Sequence, residues 1–144
     1  TASHAVLFIV MQVAGGLCGA ILAHLMFEMP LLQESQNMRT GGAQWLSEFV
    51  ATLGLLTVIF GGLRWRPDSV PMLVGLYITA AYWFTASTSF ANPAVTIARS
   101  FTDSFSGIQP LDMPAFVVAQ VFGALAAAAL AIWLFPSPAT GDDG

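Results

Sequence analysis

The apolar positions of the chain gather into four long runs separated by short polar stretches. The runs cover roughly residues 5 to 27, 43 to 63, 70 to 87 and 113 to 135. A helix needs about 20 apolar residues to cross a hydrocarbon core about 30 Å thick. The pattern therefore predicts an all-α membrane protein with four transmembrane helices, followed by a disordered tail over 136–144 that is rich in Pro, Gly and Asp.

One polar interruption, between the third and fourth runs, has the form of a helix start. It reads Asn92-Pro93-Ala94, and the residues after it stay uncharged until Arg99. Asn is among the best N-cap residues, and Pro is favoured at the first helical position. We therefore expect a re-entrant half-helix over about 92–100, with the positive end of its dipole at Asn92, where it would repel cations.

Composition and charge support the membrane assignment and exclude other classes. The chain is 56% apolar and 8% charged, against roughly a quarter charged in a typical soluble domain. With no Lys, four Arg and a net charge of -4, it offers no basic surface to nucleic acid. Its single cysteine, Cys18, lies in an apolar run beside Gly19 and is predicted to be a small packing residue.

The two neighbouring arginines Arg64 and Arg66 set the predicted topology. They share the short connection 64–69, which the positive-inside rule places in the cytoplasm. The Asn-Pro-Ala segment then enters from outside. Because the chain does not begin with Met and its first run is too long for a signal-peptide core, we expect it to belong to a longer protein.

The first and fourth runs repeat each other. Residues 8–27 laid on 116–135 without gaps share ten identities in twenty positions. The identical pairs are Phe8/Phe116, Val10/Val118, Gln12/Gln120, Val13/Val121, Gly15/Gly123, Leu17/Leu125, Ala20/Ala128, Leu22/Leu130, Ala23/Ala131 and Phe27/Phe135. Two full runs and a half-helix lie between them, so the two helices are predicted to be antiparallel, as in an inverted repeat.

These motifs together resemble the aquaporin and aquaglyceroporin family. The resemblance rests on the Phe-Ala-Asn-Pro-Ala run, on Gln-Val-x-Gly-Ala at 120–124 with its echo at 12–16, and on Glu48-x-x-x-Thr52. It implies an aquaporin-like inverted-repeat helical bundle, of which residues 1–144 form one partial domain. Residues 5–27 would be the last span of the first repeat, and 43–135 would be the second repeat.

The resemblance also implies what the site does and what the chain lacks. In the family, neutral solutes pass in single file beside two Asn-Pro-Ala half-helices, and Asn92, Pro93 and Ala94 match the second of these. The partners it implies are the lipid bilayer, the missing N-terminal half of the channel and three further copies in a homotetramer. It implies no cofactor.

The resemblance assigns a selectivity filter to four positions and a vestibule to one. Val95 stands where the family usually has an arginine, which predicts a wider and less polar filter; Tyr82, Ser89 and Phe90 would complete it. Arg99, about one turn or 5.4 Å further out, would line the outer vestibule with Asp103 as its partner. The alternatives are lipid contacts for Tyr82 and snorkelling to headgroups for Arg99.

Three polar residues inside the runs are assigned structural roles. Glu48 is an acid within a span, where an unpaired charge is costly. By resemblance it would accept hydrogen bonds from the backbone of the re-entrant loop. Gln12 and Gln120 are predicted to bond between helices or to the same loop.

No pattern indicates an enzyme or a metal site. His4 and His24 lie near the ends of the first run without a carboxylate or thiol at ligand spacing. The serines and threonines of 85–106 form no nucleophile motif. Interfacial packing explains the two histidines better than chemistry does.

The sequence therefore favours a passive channel in a bacterial inner membrane. Its solutes would be small and uncharged: glycerol-like polyols, water, or neutral metalloid hydroxides such as arsenite, since Asn-Pro-Ala-Val-Thr-Ile-Ala-Arg is similar to a bacterial branch associated with arsenic resistance. One alternative is a secondary transporter with a broken helix and inverted repeats. Another is a truncated, non-conducting channel subunit.

Overall fold

The computed structural model of the protein describes residues 2–135. Within this range the chain forms five α-helices and two short 3₁₀ turns, which confirms the predicted all-α class. The helices are α1 (Ala2–Met26), α2 (Gly42–Trp65), α3 (Val70–Phe84), α4 (Pro93–Arg99) and α5 (Met113–Leu134). The 3₁₀ turns Pro67–Ser69 and Pro110–Asp112 lead into α3 and α5. The predicted disordered tail, 136–144, lies outside the described residues.

Three of the described helical segments are long and apolar enough to cross a membrane: Ala2–Met26, Gly42–Trp65 and Pro110–Leu134. The third predicted span is shorter than expected, because α3 has 15 residues and ends at Phe84 rather than at 87. Thr85 leaves the helix with extended backbone, and its hydroxyl donates to the Ala81 carbonyl at 2.7 Å. At 1.5 Å per residue α3 covers roughly 22 Å, less than the membrane core, so its crossing stays a prediction.

The loops gather at one end of the helices, here called the loop end. The segment 27–41, between α1 and α2, runs alongside the segment 100–112, between α4 and α5. The Ser35 amide donates to the Ser100 carbonyl at 2.9 Å, and the Gln109 amide to the Asn37 carbonyl at 2.8 Å. Since α1 ends at the loop end and α5 begins there, the two repeated helices are antiparallel, as the sequence predicts.

α2 and α5 form the most extensive helix pair. The buried residues of α5 follow three- and four-residue steps and so share one face: Phe116, Gln120, Gly123 and Ala127. A Cβ at Gly123 would lie 2.6 Å from the Phe49 carbonyl oxygen, too close for any residue but glycine. The small side chains of this face therefore let α5 lie directly on the backbone of α2.

The apolar core lies between α4, α5 and the loops. Phe90, Ile108 and Phe116 are buried together, and Val95 and Met113 pack against them. The core thus holds the Asn-Pro-Ala sequence on both sides, through Phe90 before it and Val95 after it.

Candidate functional site

The short helix α4 begins where the sequence predicts. Asn92 has extended backbone, and its side-chain Oδ1 accepts a hydrogen bond from the Ala94 amide at 2.8 Å. The Thr96 amide and hydroxyl both donate to the Asn92 carbonyl at 3.0 Å. Asn92 therefore caps α4, and Pro93 occupies the first position, where its missing N–H costs nothing.

The N-terminus of α4 lies half-way along its neighbours. The Asn92 Nδ2 group donates to Gln12 Oε1 at 3.3 Å, and Gln12 lies near the middle of α1. The other end of α4 returns to the loop end, where the Ile108 amide donates to the Arg99 carbonyl at 3.2 Å. The segment 85–100 thus enters from the loop end, turns at Asn92 and leaves by the same end, which is a re-entrant path relative to the flanking helices.

A cavity of about 260 Å³ opens at the tip of α4. Its polar lining comes from three helices and the cap: Gln12, Thr52, Asn92 and Gln120. Thr52 Oγ1 and Gln120 Oε1 are buried and have no hydrogen-bond partner within residues 2–135. Because buried polar atoms are nearly always paired, these two acceptors could serve a hydroxyl group or a further segment of protein.

Glu48 organises the loop that leads to Asn92. It is fully buried, and its carboxylate accepts four hydrogen bonds, as expected if a charge is to be tolerated inside the fold. The donors are Ser87 Oγ at 2.6 Å, the Phe90 amide at 2.9 Å, the Ala91 amide at 2.9 Å and Gln120 Nε2 at 2.7 Å. Glu48 thus joins the re-entrant loop to α5.

The same loop holds three non-glycine residues in the left-handed region. Thr88, Ser89 and Ala91 have φ values of 62°, 49° and 51°, and each such residue costs on the order of 1–3 kcal/mol. The bonds from Phe90 and Ala91 to Glu48 hold this strained backbone in place. Strain that the surroundings maintain is typical of functional segments.

The structure brings four of the five predicted filter and vestibule residues together. Phe90 is 2% exposed and meets Phe116 edge-on, with ring centroids 5.2 Å apart. Val95 packs against this cluster, and Tyr82 is half-buried beside Arg99. Ser89 is also buried, but its hydroxyl has no partner within the described residues. The roles of these side chains in selecting a solute stay predictions.

Arg99 lies against aromatic rings, and its predicted pairing with Asp103 is wrong. Its guanidinium carbon is 4.3 Å from the centroid of Phe90 and 5.9 Å from that of Tyr82. Asp103 instead accepts a hydrogen bond from the Gln36 amide at 3.0 Å. α4 ends at Arg99, so a four-residue step beyond it no longer places two side chains on one face. The assignment of Arg99 to the outer vestibule stays a prediction.

No motif in the sequence pointed to Arg39. It is 6% exposed, and its guanidinium donates to three backbone carbonyls: Gly107 at 2.6 Å, Ser87 at 3.0 Å and Phe105 at 2.6 Å. Burial lowers its pKa from the ordinary value. These partners are 48 to 68 residues away in sequence, so no local pattern revealed them. The rarity of cationic side chains could have drawn attention to Arg39, since the whole chain has four arginines and no lysine.

The chain is similar in sequence to a known protein family and to a curated relative. The model of the family described as Major intrinsic protein matches residues 64–142, just over half of the chain. The chain is 61% identical over 127 residues to Aquaglyceroporin AqpS of Rhizobium meliloti (strain 1021), a match that covers 88% of this chain and 54% of that protein. The chain thus spans about half the length of this curated relative. No solved structure matches it.

Proposed function

The chain belongs to the major intrinsic protein family, and on this premise we propose that it forms part of a passive channel for small uncharged solutes. Its helical fold is that of an aquaporin-like, multi-pass membrane protein.

One observation carries the proposal: Asn92 caps a short helix half-way along α1 and α2. The cap uses Oδ1, and Nδ2 donates one of its two hydrogens to Gln12 Oε1, so the second remains to donate to a passing hydroxyl in the cavity that both residues line. The end of α4 at this point carries the partial positive charge of the helix dipole. A cation is repelled there, while a neutral hydroxyl-bearing solute is oriented and passes.

We propose glycerol-like polyols, water and neutral metalloid hydroxides such as arsenite as the solutes. Val95 supports this choice, because it packs among apolar side chains and offers no donor where the family usually has an arginine. The proposed filter consists of Val95 with Tyr82, Ser89 and Phe90, and the proposed vestibule residue is Arg99. The name of the similar protein, an aquaglyceroporin, agrees with a pore wider than a water filter.

We further propose that a segment outside this chain closes the conduit by supplying a second half-helix. The cavity at the tip of α4 supports this, because Thr52 and Gln120 each have a buried polar atom there without a partner in residues 2–135. The coverage of the relative, 54%, leaves room for such a segment. A homotetramer is proposed from the resemblance alone, and the cell membrane of a bacterium from the bacterial relative.

The proposed filter is tested with the complete protein in lipid vesicles, by light scattering during glycerol efflux. Val95→Arg should narrow the filter and lower glycerol permeability about tenfold, equivalent to about 1.4 kcal/mol in the barrier. Val95→Ala is the matched control and should conduct at least as well as the wild type. Unchanged glycerol flux in Val95→Arg, at equal protein content, would contradict the assignment.

A further inference from the structure

We infer that Arg39 is a positioning residue for solute selection: its buried guanidinium fixes the loops around Phe90 and, through Phe90, the position of Arg99. The inference rests on the proposed channel function. It adds a residue from the connection between α1 and α2, far from the Asn-Pro-Ala sequence, to those that decide which solutes pass.

Arg39 joins three separate segments. Its own segment, 27–41, is held at the start of α5, where the Arg39 amide donates to Asp112 Oδ2 at 2.7 Å. Its side chain then reaches the segment 100–109 through the carbonyls of Phe105 and Gly107, and the segment 85–91 through that of Ser87. The backbone and the guanidinium of Arg39 are therefore both held by hydrogen bonds. A shift of one of the three segments would displace the other two.

Phe90 connects Arg39 to the proposed filter. The guanidinium carbon of Arg39 lies 5.2 Å from the centroid of the Phe90 ring, and that of Arg99 lies 4.3 Å from the same centroid. Each contact is a cation–π interaction, worth more when it is shielded from water. Two like charges thus contact one ring. If the loss of Arg39 lets Phe90 shift, the ring that Arg99 packs against shifts with it.

Within residues 2–135, few other contacts hold Arg99. Its hydrogen bond to Thr88 Oγ1 is long, at 3.5 Å, and its second ring contact, with Tyr82, is also long, at 5.9 Å. Its position therefore depends on Phe90, whose backbone is held by Glu48 and whose ring is held by Phe116 and Arg39.

The three carbonyls explain why an arginine is required. A guanidinium has five N–H donors in a rigid planar fork, whereas a lysine has one ammonium group on a flexible stem. Nε, Nη1 and Nη2 of Arg39 each serve a different carbonyl. A lysine at this position keeps the charge but cannot hold all three loops in the same geometry.

The test compares Arg39→Met and Arg39→Lys with the wild type in the complete channel, in vesicles. The readout is the permeability of a five-carbon polyol divided by that of glycerol. We expect Arg39→Met to raise this ratio about threefold or more, because residues in contact are energetically coupled. Arg39→Lys should give an intermediate ratio. Arg66→Met is the control, because this exposed arginine lies at the opposite end of the helices, and it should leave the ratio unchanged.

The ratio separates positioning from a purely structural role. A loss of folded protein lowers both permeabilities in parallel, so a conducting Arg39→Met with an unchanged ratio overturns the inference alone. If Arg39→Met does not reach the membrane, Arg39→Lys decides in the same way. A wild-type protein without polyol flux overturns the proposed function as well.

A double-mutant cycle tests the route through Arg99. If Arg39 acts by holding Arg99, the effect of Arg39→Met on the ratio should shrink when Arg99 is already methionine. Equal effects of Arg39→Met in the wild type and in Arg99→Met would overturn the route.

Discussion

The helices α1 and α5 are half identical over twenty aligned positions, yet within residues 2–135 they lie in different surroundings. In α5, Gln120 is 2% exposed and donates to Glu48 and Thr96, and Gly123 lies against the backbone of α2. In α1, the equivalent Gln12 is exposed and accepts one long hydrogen bond from Asn92. A Cβ added at Gly15 would meet no atom within 4 Å.

The difference shows that the neighbouring helix, and not the repeated sequence, decides what each residue does. On α2, Glu48 accepts a hydrogen bond from Gln120 of α5, and the Phe49 backbone leaves room only for the glycine at position 123. Within residues 2–135, α1 packs mainly on α4, where a Cβ at Gly16 would lie 3.0 Å from Ala98 Cβ. Matched substitutions in the two helices should therefore have unequal effects in this chain.

Removing Glu48 should lower stability the most, because the hydrogen bond between Glu48 and Gln120 is a contact that α5 makes and α1 does not. Glu48→Leu leaves three buried donors without an acceptor, the Ser87 hydroxyl and the Phe90 and Ala91 amides, whereas Gln120 Nε2 keeps its bond to Thr96 Oγ1. Each lost acceptor costs about 1–3 kcal/mol, and the strained loop loses the bonds that hold it. We expect the free energy of unfolding, measured by denaturant titration in detergent, to fall by at least about 3 kcal/mol, or the variant to fail to fold. Glu34→Leu, at an exposed loop position, is the control. Equal stability of the two variants would show that the network does not hold α5.

The two glycines offer the next comparison. Gly123→Leu forces a side chain against the Phe49 carbonyl and should cost at least about 1–3 kcal/mol, as other overpacked sites do. Gly15→Leu in the same chain meets no atom within 4 Å and should not lower stability, because leucine favours a helix over glycine by about 0.5–1 kcal/mol. The thermal midpoint in detergent measures both. In the complete channel, a large cost for Gly15→Leu would indicate that a further helix covers this face.

The two glutamines should show the smallest difference. Gln120→Leu removes the bonds to Glu48 Oε2 and Thr96 Oγ1, a loss of about 1–2 kcal/mol for buried partners. Gln12→Leu removes one bond at 3.3 Å in an exposed position and should cost less than about 0.5 kcal/mol. The comparison of α1 with α5 fails if the two substitutions shift the thermal midpoint equally.

The sequence predicted the features that local chemistry determines. Asn92 followed by Pro93 predicted the start of α4, since both residues have strong positional preferences. The family resemblance predicted the contact of Glu48 with the loop. The repeat predicted the antiparallel helices, because it compares two whole segments.

The sequence did not predict the contacts and helix ends that depend on segments distant in the chain. Arg39 owes its role to carbonyls of Ser87, Phe105 and Gly107, which only the folded loops bring together. The pairing of Arg99 with Asp103 was predicted from a four-residue spacing, which brings side chains together only within a helix, but α4 ends at Arg99. The end of α3 at Phe84 likewise depends on the turn at Thr85, which apolar periodicity does not reveal.

The central claim is that a capped helix dipole in mid-fold forms a passive path for neutral solutes. It is tested most directly by measuring glycerol flux against concentration, with the complete protein in vesicles and with proton and sodium gradients imposed or collapsed. The account predicts flux that rises linearly with the glycerol gradient, has a low activation energy and does not respond to either ion gradient. Flux that saturates and requires an ion gradient would contradict it and indicate a secondary transporter.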